Sequence, residues 1–506
     1  MMKDKYIITL DSGTTSCRSL VVDHDGNIKS SNQHEFTQYF PKSGWVEHDA
    51  LEIWNTQLTT MQSAKNQAKL KSEDIAAVGI TNQRETIVLW DKETGIPVYN
   101  AIVWQDRRTA EYCEELISQG YADMFQKKTG LIVNPYFSGT KIRWILKNVV
   151  EAEKKLKQGK LLAGTIDTWL IWKLTDGKVH ATDVSNASRT LLFNIHTLQW
   201  DQEILDLLEI PKEILPEVRS SSGHFGFVAP YNWSNTAKGK VPITGVAGDQ
   251  QSALFGQLCT EVGMVKNTYG TGCFTLVNTG NTAIESKNKL LTTIAWKLGD
   301  EKVVYALEGS VFVAGAAIQW LRDSIRLLYN AAESDFFASL VNDDQRVYVV
   351  PSFTGLGAPY WDSYSRGAIF GLERGTKREH IIKATLDSIA YQSNDLISAM
   401  QKDLGKPIVA LKVDGGASKS NHLMQFQSSI SQLEVVRPAN IETTAMGASY
   451  LAGLAVGYWK DLNELKQIVK VDRVFQPLLT QQEISKLLKG WKTAVLKTLN
   501  WTKDIE

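Results

Sequence analysis

The chain has 506 residues, and at roughly 100–200 residues per domain that length predicts about two to five domains rather than one core. Its 55 basic and 55 acidic residues cancel to a formal net charge of +0, which argues against a protein organised around nucleic acid or an anionic membrane surface, since both reward net positive charge. With 43% hydrophobic and 22% charged residues, the composition is that of a globular protein, not a disordered or fibrous one.

In chain order, the first elements read as β. Residues 6–10 have a strand pattern, 11–15 form a turn and 19–22 a second strand. The opening residues lack the apolar stretch of an export leader. No later apolar run approaches a membrane span. Cys17, Cys113, Cys259 and Cys273 form no C-x-x-C pair, so no zinc knuckle or dithiol centre is expected, and a reducing cytoplasmic location is. A helix is predicted from Asp49, with Glu52 as its capping-box partner. Residues 75–80 read as a buried strand that ends in the polar cluster 81–86 and returns as 87–90. Strands alternating with helices predict an α/β layered fold.

The most loop-like stretch is 215–245, including the polar run 232–240, and a boundary near residue 250 divides the chain into domains 1–250 and 251–506. Beyond it, residues 265–277 repeat the opening pattern: strand, Gly/Thr turn, strand. A strand at 410–414 runs into a Gly-Gly turn and an amphipathic helix around 421–427. From Gln481, residues Ile484, Leu487, Leu488, Trp491, Val495 and Leu499 predict an amphipathic closing helix.

Walker and dinucleotide-binding loops are both missing. Phosphate can instead be held by backbone N–H groups and hydroxyls in tight turns. Gly13 and Gly270 allow such turns, Thr14, Thr15, Ser16 and Thr271 supply hydroxyls, and Arg18 adds charge. Asp11 could hold Mg²⁺ through water. Each turn alone reads first as an ordinary hairpin, but three in one chain shift the balance toward a nucleotide cleft between two domains. Arg84 and Glu85 offer a donor beside an acceptor, suited to a hydroxyl-rich substrate, or else form a solvated surface pair. Trp104 and Tyr136 read as core aromatics. Asp249 stands between an apolar stretch and a helix, where it is either a helix cap or a base that deprotonates an attacking hydroxyl. The histidines have no metal-ligand spacing, and no G-x-S-x-G elbow occurs.

Several longer segments go further. Asp11-Ser-Gly-Thr-Thr, Gly44-Trp-Val-Glu-His-Asp49, Gly79-Ile-Thr-Asn-Gln-Arg-Glu-Thr86 and Tyr136-Phe-Ser-Gly-Thr-Lys-Ile-Arg-Trp144 resemble the glycerol kinases. So do Gly248-Asp-Gln-Gln251, Asn267-Thr-Tyr-Gly-Thr-Gly-Cys-Phe274, Gly355-Leu-Gly-Ala-Pro-Tyr-Trp361 and Asp414-Gly-Gly416. Gly367-Ala-Ile-Phe-Gly-Leu372, with Leu386-Asp387 beyond it, fits the wider FGGY carbohydrate kinase family.

The resemblance implies an α/β fold of two RNase H-like domains, as in actin and hexokinase, with ATP between them. It implies phosphorylation of glycerol to sn-glycerol 3-phosphate with ATP and Mg²⁺, and assembly as homodimers or homotetramers. Arg84, Glu85, Tyr136, Asp249 and Gln250 would bind the glycerol hydroxyls, Trp104 and Phe274 would wall its carbons, and Asp249 would be the base. Asp11, Thr14, Thr15, Ser16, Arg18, Thr271, Gly315, Gln319, Gly416 and Ser420 would serve the nucleotide, with Asp11 on the metal. Ser12 replaces the family's usual Gln, and Ser420 its usual Asn. The loop 225–240 lacks both the Gly-Gly-x-Arg pattern that binds fructose 1,6-bisphosphate and a phosphorylated His, so neither control is expected. Two alternatives stay open: a kinase for a larger sugar or polyol, and a nucleotide-binding protein that works by conformational change without transferring phosphate.

Overall fold

The computed structural model describes residues 4–233, 240–341 and 346–503. Two sheets share one plan. In the first, β1 (Tyr6–Ser12), β2 (Ser16–Val22) and β3 (Ile28–Glu35) form an antiparallel meander, with β4 (Ile75–Asn82) parallel to β1 and β5 (Ile243–Gly248) parallel to β4. In the second, β6 (Met264–Tyr269), β7 (Cys273–Gly280) and β8 (Val304–Val311) form the meander, followed by parallel β9 (Ala410–Asp414) and β10 (Val435–Pro438). The spatial orders are β3-β2-β1-β4-β5 and β8-β7-β6-β9-β10. Strands Leu291–Trp296 and Val471–Phe475 extend the second sheet at its edges. The echo between the two Gly/Thr hairpins is therefore a duplicated topology, the RNase H-like pair that the resemblance implies.

β4, sequence IAAVGITN, is buried along its whole length, as expected for a parallel strand covered on both faces. Ile8, Leu10, Val78 and Ile80 pack with α1 (Ala50–Gln67). On the opposite face, Ile7 and Ala77 pack with a helix from the far end of the chain. In chain order the other helices that matter here are α2 (Asp249–Gly256), α3 (Gly315–Asp323), α4 (Asn421–Ser431), α5 (Thr443–Ala455) and α6 (Gln481–Leu496). The far-face helix is α5, and it docks on backbone. A Cβ on Gly447 would lie 1.8 Å from the Ser252 carbonyl oxygen, and one on Gly256 2.0 Å from that of Thr443. Only glycine permits these contacts between α2 and α5.

Asp49 caps α1, accepting from the Leu51 and Glu52 N–H groups. The predicted reciprocal bond from Glu52 is not made, because its carboxylate instead accepts from Thr37 N and Oγ1 at 3.0 and 2.9 Å. α6 carries a full capping box between Thr480 and Glu483, and Ile484, Trp491 and Val495 are buried in the second core. Residues 87–91 do not return along β4. They join a separate sheet with Glu47–His48, Ala101–Ile102 and Leu161–Thr165, so the polar cluster 81–86 is the junction between two sheets. The stretch 215–245 contains a short strand, Glu217–Arg219, and residues 234–239 of its polar run lie outside the described residues. Among the described residues no helix is long and apolar enough to cross a membrane.

Candidate active site

Adjacent side chains on a strand face opposite ways, so Arg84 and Glu85 converge only because the junction bends. Glu85 has φ 62°, and the Thr86 N–H bonds the Arg84 carbonyl at 2.7 Å. This is a three-residue turn with a positive-φ centre, a strained form that survives only where its surroundings hold it. Ser138 Oγ supplies a hold, donating to the Glu85 carbonyl at 2.8 Å.

The Arg84 guanidinium is buried and clamped from the other half of the chain. Nη1 and Nη2 donate to the two Glu308 oxygens on β8 at 2.6 and 2.8 Å, and Nη1 also donates to Gln251 Oε1 at 3.2 Å. An arginine has five N–H groups, and one N–H of Nη2 keeps no hydrogen-bond partner among the described residues. Nε faces Asp249 Oδ1 at 3.1 Å. Arg189 completes the cluster, with Nε to Glu85 Oε1 at 2.7 Å and Nη2 to Glu308 Oε1 at 3.3 Å. Burial alone would raise Glu308, but Arg189 and Arg84 outweigh it and hold the carboxyl down to about 2. At Glu85 burial outweighs the same two arginines, and the carboxyl is raised.

Asp249 does not cap α2. Gly248 occupies the cap position, and Asp249 Oδ1 accepts from its neighbour's N–H, Gln250 N at 2.7 Å. Its side chain is 30% exposed, against 2% for Arg84 and Glu85 and 0% for Glu308. Burial raises the Asp249 carboxyl above its ordinary range, while Arg84 and Lys266 pull against the rise. A carboxylate with one edge open to the cleft and an elevated pKa is suited to accept a proton near neutral pH. Gln250, beside it, bonds the buried Lys266 ammonium.

Trp104 and Tyr136 are not sealed in the core. Both are partly exposed, meeting edge to face with centroids 5.5 Å apart. Trp104 Nε1 donates to Thr14 Oγ1 at 3.0 Å, which joins the aromatic wall to the first Gly/Thr turn. Lys141 lies beneath, fully buried, with Nζ donating to the Val103 and Tyr136 carbonyls at 2.7 and 3.3 Å. Phe274, on β7, is partly exposed and has its carbonyl on Lys266.

The three turns gather at one cleft. Arg18 binds Asp11 Oδ2 at 2.8 Å and also pairs with Glu442, the residue preceding α5. The next residue, Thr443, hydrogen-bonds Asp414 at the end of β9. Gly415 follows with φ 84°, and a Cβ there would meet the Tyr269 carbonyl oxygen at 2.6 Å. In the second Gly/Thr turn, Gly270 and Thr271 carbonyls accept from Gly315 and Ala316 at the start of α3, at 3.0 and 3.1 Å. Thr14, Thr15, Ser16, Thr271, Gln319 and Gly416 all keep surface toward solvent. Ser420 is engaged elsewhere: its hydroxyl bonds Asp335 and caps α4 by accepting from Leu423 N. The sequence reading missed Glu308, Arg189, Lys266 and Gln251. Only Glu308 left a visible signal, as a charge inside the otherwise apolar strand VYALEGSV.

Residues 6–256 match the N-terminal domain, and residues 265–456 the C-terminal domain, of the FGGY family of carbohydrate kinases. The chain belongs to that family and is an enzyme of it. More particularly, it is 73% identical to a glycerol kinase of Mycoplasmopsis pulmonis, covering 99% of both chains. It is 71% identical to one of Mycoplasmoides gallisepticum over the whole of both. Among solved structures, Plasmodium falciparum glycerol kinase with ADP superposes with a TM-score of 0.92 at 38% identity, covering 98% of each chain. The xylulose kinase of Lactobacillus acidophilus, at 23% identity, a TM-score of 0.87 and 97% coverage of each chain, shares the fold.

Proposed function

We propose that this chain transfers the terminal phosphoryl group of ATP to a primary hydroxyl of glycerol, giving ADP and sn-glycerol 3-phosphate. One observation carries the reading: the clamped Arg84 guanidinium lies beside the open edge of Asp249. Donors next to acceptors match hydroxyls, each of which donates once and accepts. The high identity to glycerol kinases over the full length supports the same substrate.

In this reading Arg84, Glu85, Tyr136 and Gln250 orient the triol, and Trp104 and Phe274 flank its carbons. Asp249 takes the proton of the attacking hydroxyl, an effect worth roughly 10²–10⁴-fold. Thr14, Thr15, Ser16 and Arg18 from the first turn, with Thr271, Gly315, Gln319 and Gly416 from the second half, receive the nucleotide, and Ser420 lies at the edge of that region. Phosphoryl transfer rewards placement and charge neutralisation above covalent chemistry. Mg²⁺ bound with ATP would supply part of that neutralisation. Asp11 suits it, since only Oδ2 is taken by Arg18 and such ions usually use one or two carboxylates plus phosphate oxygens. The division into 1–250 and 251–506, a cytoplasmic location and assembly as a dimer or tetramer belong to the same proposal.

Glycerol-dependent ADP release, with the product identified, tests it. Glycerol should be preferred over xylulose, ribulose and dihydroxyacetone. A preference for a pentulose would assign a different substrate, and nucleotide binding without ADP release would remove the transferase reading.

A further inference from the structure

A buried lysine stands behind the proposed base. Lys266 lies on β6 with no exposed surface, and its three N–H groups are all spent: on Gln250 Oε1 at 2.5 Å, Thr268 Oγ1 at 2.8 Å and the Phe274 carbonyl at 3.2 Å. It thus ties the residue following Asp249 to the two strands that carry the Thr271 turn. A cation is costly to bury, and a structural tie between these groups could be made by a neutral donor, so the charge itself requires an explanation.

The charges around it supply one. Arg84 and Arg189 face Glu85 and Glu308, and Lys266 stands against Asp249 and Asp414, so three cations meet four carboxyl groups. Asp414, at the end of β9, flanks Lys266 from the other side, with Oδ2 held by Thr443 and Gln257. Asp249 is the one of these carboxyl groups with an edge open to solvent. Removing the lysine charge leaves an excess negative charge in a poorly solvated site. The accessible carboxylate, Asp249, relieves that excess by taking a proton.

We propose that Lys266 is a positioning residue of the transfer reaction: its ammonium keeps Asp249 ionised and fixes the Gln250 amide toward the substrate. The inference rests on Asp249 being the base. Burial lowers Lys266 to about 8, opposed by Asp414, Asp249 and Glu308, so it is charged wherever Asp249 must act near neutrality.

The test is the pH profile of kcat for glycerol-dependent ADP release in Lys266→Met, Lys266→Gln and Lys266→Arg. Gln keeps an amide donor for the Phe274 carbonyl and so keeps the strands tied. In both neutral variants the acid limb should move upward by about one pH unit or more, with turnover recovering at alkaline pH and a raised glycerol KM. Lys266→Arg should leave the limb at its wild-type position. A kcat depressed equally at every pH, with the limb unmoved in Lys266→Gln, would overturn the proposal. Failure of the base reading looks different: Asp249→Asn would then turn over normally, whatever the lysine variants do.

Discussion

Replacing Glu308 by Gln probes the clamp that presents Arg84. The substitution removes one buried negative charge but keeps the side-chain shape. Two charge-assisted bonds from Arg84, at 2.6 and 2.8 Å, and a 3.3 Å contact from Arg189 lose their ionic partner. The new amide nitrogen points a donor at a donor. Breaking a buried ion pair costs about 3–5 kcal/mol, and here the arginines left behind share only Glu85 and the Asp249 edge. The cost divides between folding and substrate binding. If Arg84 loses its fixed orientation, one charged hydrogen bond to a hydroxyl is lost, about 1.5–3 kcal/mol, or about 10- to 150-fold in glycerol KM. The assay is initial-rate ADP release at saturating ATP with glycerol varied, beside a thermal melt. The ATP KM should stay within about twofold, because no phosphate turn is touched. The stability difference from wild type also depends on pH. Glu308 is held at about 2 against an ordinary 4.5, so its contribution is complete above the ordinary value and is lost as pH falls toward 2. The gap between the two melts should therefore close over that acid window. An unchanged glycerol KM in a folded Glu308→Gln protein would refute the clamp.

Asp249→Asn should keep the wild-type melt and lose about 10²–10⁴-fold in kcat, measured by the same ADP assay. Gly447→Ala should lower thermal stability by several degrees or prevent soluble expression, since its Cβ would lie 1.8 Å from the Ser252 carbonyl oxygen and backbone cannot move aside cheaply. Lys141 is lowered to about 7 by burial, so above that pH the folded state loses a proton that the unfolded chain keeps until its ordinary 10.5. Wild-type urea stability relative to Lys141→Met should therefore rise with pH between those values, at most about 1.4 kcal/mol per unit, and a flat or falling difference would contradict the assignment.

The fold was legible where periodicity is local. The two Gly/Thr hairpins, the buried run at β4 and the apolar stripe of α6 are statements about neighbours in sequence, and each appears as an element. The capping box at Glu52 failed because a competing donor, Thr37, comes from fifteen residues away, and no local rule sees it. The site divides the same way. Arg84, Glu85 and Asp249 were visible as polar residues where apolar strands end. The turn that makes Arg84 and Glu85 converge was not visible, because nothing in the residue types announces a positive φ at a glutamate. Arg189, Lys266 and Glu308 reach the site from three further segments, and only the assembled fold shows that their charges face one another.

That arrangement of charge bears on which substrates the site can take. Arg84, Arg189 and Lys266 face Glu85, Glu308, Asp249 and Asp414, so the substrate end of the cleft has no spare positive charge to offer. A carboxylate or phosphate ester entering there would face Glu85 and Asp249 without a free cation in compensation, a like-charge cost of several kcal/mol. A neutral polyol meets no such cost and finds donors and acceptors already alternating. The phosphate turns are arranged differently. Their exposed groups are backbone N–H and hydroxyls, and Arg18 among them is already paired with Asp11 and Glu442, so what they offer an anion is hydrogen-bond donors. The substrate end of the cleft thus disfavours an anionic acceptor by electrostatics before any shape is read. Adding a cation near the substrate end, as in Gln250→Lys, should let anionic polyol analogues inhibit competitively against glycerol. If they inhibit the wild-type enzyme equally well, the lack of a spare cation is not what excludes them.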